Sequence, residues 1–144
     1  MLKQLLIGLV IAVAVPCVHV FGMIEIIAVG NAVEMGYAPQ INNERGIKVT
    51  ATLQRTSNAV QAWDIEVTLE THTKTLNDDM AKVAVLIADG KQYLPLRWEG
   101  AQPGGHHRKG KLSFKAIAPR PRSIELQIRL AVDTSPRNFQ WLLK

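Results

Sequence analysis

The chain has 144 residues, 47% hydrophobic and 20% charged, a mix that excludes a disordered protein and suits one domain plus a short segment. Its net charge of +5, from 17 Lys+Arg against 12 Asp+Glu, is scattered rather than clustered, so no nucleic-acid partner is expected. The single cysteine, Cys17, lies in an apolar N-terminal run, which excludes a disulfide framework within one chain and a Cys nucleophile from everything after it.

Residues 1–32 read as a signal anchor or a signal peptide. Lys3 gives a positive start, and residues 5–15 carry no polar side chain. Residues 4–24 reach the roughly 20 apolar residues that cross a bilayer core, with only His19 awkward, which favours an uncleaved anchor. Val20-Phe21-Gly22 and Gly30-Asn31-Ala32 offer small-x-small cleavage sites for the other reading. Acylation at Cys17 is disfavoured by Pro16 in front of it. By the positive-inside rule Lys3 stays in the cytoplasm and the larger part is exported.

Residues 33–46 are polar, with Gly, Pro and Asn, and read as a linker. From Ile47 the chain alternates with period two. Ile47, Val49, Ala51 and Leu53 form one apolar face, and Trp63, Ile65, Val67 and Leu69 a second after the turn residues Arg55 to Asn58. Residues 83–87 are apolar on both sides, as a central strand requires, and Asp89-Gly90 signals a hairpin into residues 93–98. Pro95 puts that strand at an edge or a bulge. Leu112, Phe114 and Ala116 alternate next; then come Ile124, Leu126, Ile128, Leu130 and Val132; then Phe139, Trp141 and Leu143.

About seven strands with turns between them and no helical period predict an all-β domain over residues 47–144. The expected form is an immunoglobulin-like antiparallel β-sandwich preceded by an N-terminal apolar helix, with a small barrel as the alternative. Trp63 and Trp141 are expected in the core. Trp98, at a strand end beside a Gly-rich loop, reads equally as a packing residue or a ligand contact.

The segment that could carry chemistry is Gly104-Gly105-His106-His107. With His72 and the acids Asp78 and Asp79 these are the residue types that hold copper or zinc. If 106 and 107 are extended, their side chains point to opposite faces and only one can meet His72. The other reading is structural: histidines that satisfy loop carbonyls and an aspartate in an Asx turn. The spacing fits no zinc signature, and there is no nucleophile elbow, phosphate loop or HExxH helix, so no catalytic residue is expected and the chain does not read as an enzyme.

The stretch 62–114 carries Thr71-His72-Thr73, Asp78-Asp79, Tyr93-Leu94-Pro95-Leu96-Arg97-Trp98-Glu99-Gly100 and Gly104-Gly105-His106-His107. This pattern resembles that of a group of uncharacterised exported or membrane-anchored prokaryotic β-domain proteins. The resemblance implies the β domain and its export, and no activity. The resulting expectation is an exported or membrane-anchored module with a binding or structural role in the cell envelope. It would lie outside the cytoplasm, periplasmic or extracellular, or be secreted if the N-terminal segment is cleaved. Its expected partners are the membrane through the N-terminal helix, another envelope protein or an anionic surface. The alternative is a copper- or zinc-binding domain using His72 and the His106-His107 loop.

Overall fold

The computed structural model describes residues 37–54, 56 and 61–143, all within a compact unit running Val33–Lys144. The anchor or signal reading of residues 1–32 lies outside the described residues. Among the described residues no helix is long and apolar enough to cross a membrane.

Among the described residues nine strands form two antiparallel sheets. In chain order they are β1 (Gln40–Glu44), β2 (Ile47–Leu53), β3 (Ala62–Thr71), β4 (Ala84–Ala88), β5 (Lys91–Tyr93), β6 (Arg97–Gly100), β7 (His107–Lys115), β8 (Ser123–Ile128) and β9 (Arg137–Leu142). A single helical turn, α1 (Met80–Val83), precedes β4. One sheet has the order β1-β2-β3-β7-β6, the other β5-β4-β8-β9.

The two-residue period builds the core. Ile47, Val49, Ala51 and Leu53 of β2 and Trp63, Ile65, Val67 and Leu69 of β3 are buried, while the residues between them face outward. They meet Leu86 of β4, Ile124, Leu126 and Ile128 of β8, and Phe139 and Trp141 of β9 in one cluster. Each large aliphatic or aromatic side chain removed from water there contributes about 1.5–3 kcal/mol before entropy is counted. Trp63 and Trp141 lie in this core, as the pattern predicts. The outer face of the first sheet carries a charge ladder instead: Lys48 with Glu70, Glu66 with Lys109, and Lys111 between Asp64 and Glu99.

The strand count exceeds the expected seven for two local reasons. The segment read as a linker contributes β1, which pairs with β2 from Gln40↔Ala51 to Glu44↔Ile47. The strand expected over 93–98 is two strands in different sheets. Tyr93 ends β5 beside Leu86, Arg97 begins β6 beside Ser113, and the chain crosses between the sheets at Leu94-Pro95-Leu96. Pro95 has no N–H for a ladder, so pairing stops where the chain changes sheets.

The strand expected to reach Val132 ends at Ile128, although Leu130 keeps the buried phase. The Arg129 amide still donates across to Val83 O (2.9 Å), one step beyond the Ala84↔Ile128 pair, but the Leu130 amide is taken by Asp133 Oδ2 (3.1 Å) and the Asp133 amide donates back to Leu130 O (2.9 Å), which closes a turn in place of the ladder.

Candidate functional site

Four connections meet at one end of the domain: the β1–β2 turn (45–46), the segment 72–83 between β3 and β4, the loop 101–106 between β6 and β7, and the β8–β9 turn (129–136). His72, Asp78, Asp79, Gly104, Gly105 and His106 fall here, and His107 begins β7 beside them. Backbone bonds join the two longer loops: Leu76 N–H donates to Gly105 O (3.0 Å) and Gly104 N–H to Leu76 O (2.7 Å). Gly104 and Gly105 take φ of 122° and 69°, the region that favours glycine, and so let the loop double back onto Leu76. Leu76 itself is buried and anchors the arrangement in the core.

The histidines and aspartates do not assemble into the expected metal site. His106 turns its Nδ1 to Lys74 O (2.6 Å). His107 begins β7 opposite Glu70 and lies on the outer face, its Nδ1 3.9 Å from Glu70 Oε1. His72 is exposed at the end of β3. Asp78 Oδ1 accepts from Ala131 N–H (2.8 Å), and Asp79 caps α1 by accepting from Ala81 N–H (3.1 Å). Among the described residues no group of three or more His, Cys, Asp and Glu is placed to hold a metal ion. The physical reason is local: His106 turns to a loop carbonyl, His107 lies beside Glu70, and the carboxylates are committed to backbone amides.

The residues that organise this end were hidden in the sequence. Arg108 lies on the inward face of β7, in phase with Leu112 and Phe114, and is 2% exposed. Its Nη1 donates to Leu76 O (3.2 Å) and Asp78 O (2.6 Å), and its Nη2 to Ala101 O (3.2 Å), so one guanidinium binds both long loops. Burial lowers the pKa of this group, while the charges of Asp78 and Asp79 act the other way.

The Trp98 ring, 5.8 Å from the guanidinium at its centroid, covers it from the β6 side and donates Nε1–H to Ala101 O (3.1 Å). The ring lies against Gly110, where an added Cβ would come 2.4 Å from Cζ2. Trp98 therefore packs as part of this clamp.

A second guanidinium pins the other side. Arg137 lies inward at the start of β9 and pairs in bidentate fashion with Asp133, Nε to Oδ2 and Nη2 to Oδ1, both 2.9 Å. It also donates to Ile47 O (2.6 Å), Asn42 Oδ1 (3.1 Å) and Glu44 O (3.0 Å), so all five of its N–H groups are used. Burial alone would raise the Asp133 carboxyl. The hydrogen bonds from Arg137 and the Leu130 amide, and the charges of Arg137 and Arg45, hold it below its ordinary value of 3.8.

No family model matches the chain, and neither a curated protein nor a solved structure shows significant similarity to it. The reading of this end therefore stands on its geometry.

Extending the two-residue period backwards would have found both arginines, since Arg108 stands four residues before Leu112 and Arg137 two before Phe139. Their charge masks them when the pattern is scored by hydrophobicity alone.

Proposed function

We propose that this chain is a non-enzymatic β-sandwich module of immunoglobulin-like topology that acts outside the cytoplasm, in the cell envelope, and binds its partner through the end formed by the four loops. The topology reading is supported by strand order. Taking β2, β3, β4 and β5 as A, B, C and C′, and β6 to β9 as D, E, F and G, the sheets read A-B-E-D and C′-C-F-G, with β1 added beside A. The buried cross-sheet disulfide of antibody domains has no counterpart, since Cys17 is the only cysteine. In that fold the loops at one end are a recurring place for recognition, because a rigid scaffold holds them.

The observation that carries the binding reading is the pair of buried guanidiniums. Arg108 and Arg137 fix loops that are far apart in the chain before any partner arrives, which lowers the ordering cost of association. The export reading is supported by the apolar run of residues 4–24 behind Lys3.

The test is site-specific photocrosslinking of the full chain in cells, with the crosslinker at Asn77 or Gln102 on the loop end and at Lys115 on the opposite end. Specific adducts from 77 and 102 that are absent from 115 support the reading. Adducts from 115 alone, or none from either loop position, overturn it.

A further inference from the structure

Two hairpins of this domain turn on a left-handed residue followed by glycine. One is Asp89-Gly90, with φ of 48° and 73°, a pair that suits such a turn. The other is Arg45-Gly46, with φ of 51° and 76°. Arginine is disfavoured in this conformation, where Asn, Asp or Gly serve better. Nor is Arg45 needed to hold the turn against β9, because Arg137 already donates to Glu44 O, Ile47 O and Asn42 Oδ1.

Arg45 instead reaches across to the β8–β9 turn, where its Nη2 donates to Thr134 Oγ1 (2.7 Å). Arg129 Nη2 approaches the carbonyl oxygen of the same residue (3.4 Å). Two exposed guanidiniums thus converge on one exposed residue. The acids around them hold hydrogen bonds to other groups: Asp133 to buried Arg137, with Arg45 acting on it through charge alone, Glu44 Oε1 to Asn42 Nδ2 (2.8 Å), and Asp78 Oδ1 to the Ala131 amide. Neither Arg45 nor Arg129 is in an ion pair with another described residue.

We propose that Arg45 and Arg129, gathered at Thr134, form a binding site for a phosphate group, free or carried on a lipid headgroup. Planar guanidiniums recognise phosphate oxygens in pairs, and an anion between them relieves the repulsion of two like charges. The inference deepens the loop-end reading and rests on it for the surface that faces a ligand.

The test uses the full chain purified in a neutral detergent and follows its thermal midpoint. Inorganic phosphate should raise the midpoint beyond sodium chloride of equal ionic strength. Arg45→Asn should raise the midpoint without phosphate, because it relieves the turn, and weaken the apparent phosphate affinity about tenfold. Arg129→Gln should weaken it similarly.

A parallel arm replaces phosphate with dihexanoyl phosphatidic acid below its micelle concentration, with dihexanoyl phosphatidylcholine as control. A response to the acidic lipid alone assigns a headgroup; responses to both assign the bare phosphate group; either supports the site. No response beyond chloride in any arm, a response retained in both variants, or an Arg45→Asn chain less stable than wild type overturns it. Failure here leaves the crosslinking result intact, so the two readings fall separately.

Discussion

Gly110 shows how one hydrogen atom in place of a methyl group sets the geometry of the loop end. A Cβ at this position would meet Trp98 Cζ2 at 2.4 Å and Glu99 O at 2.7 Å. Gly110→Ala should displace the ring from Arg108 and destabilise the domain by about 1–3 kcal/mol, measured as a shift in the urea midpoint. Arg108→Leu acts differently. Leu76 O keeps the Gly104 amide and Ala101 O keeps Trp98 Nε1, but Asp78 O loses its donor. Amide exchange at Leu76 and Gly104 is expected to speed up while Val67 in β3 stays protected; equal acceleration at Val67 would mean that Arg108 supports the whole domain rather than the loops.

Asp133 has a pH signature. Its carboxyl pKa is depressed in the folded state, so its contribution is complete at neutral pH and is lost as the pH falls through the folded value, which lies below 3.8. Acid unfolding should therefore steepen below about pH 4. Asp133→Asn should flatten that dependence and lower stability at pH 7 by about 3–5 kcal/mol, because Arg137 is left buried without its counter-charge. Urea midpoints of both proteins from pH 3 to 7 check the sign, and parallel curves would contradict it. The signal for Arg108 and Arg137 was present in the sequence as phase. What residue type alone could not tell is that backbone carbonyls wait at the end of each guanidinium.

At the scale of elements, the turn glycines separate strain from space. Nothing lies within 4 Å of a Cβ added to Gly90, yet its φ is 73°. Gly90→Ala should cost about 1–2 kcal/mol through backbone conformation alone and leave the core spectroscopically unchanged. The strands β2, β3, β4 and β8 were legible because each has one inward face of apolar side chains. Two elements were not. β1 has polar residues at four of its five positions and is a strand because its backbone pairs with β2, a partner that local composition does not reveal. The division of 91–100 into β5 and β6 depends on which sheet each half joins; Pro95 marked the interruption without saying that the chain changes sheets there.

For the whole molecule, a chain starting at residue 33 should give a β-type circular-dichroism spectrum and one cooperative thermal transition, since one core serves both sheets. Mass measurement of the mature protein from cells tests the N-terminal reading. The intact mass supports the anchor, and loss of residues 1–22 or 1–32 supports cleavage. The sequence by itself determined that the domain is β, because side-chain alternation is a local property that burial reads directly. Only the tertiary structure decided the site. Arg137 meets Ile47 across 90 residues and Arg108 meets Leu76 across 32, and such meetings are set by sheet order and register. The same register that sends His107 outward sends Arg108 into the core, replacing an expected cluster of metal ligands with a guanidinium clamp.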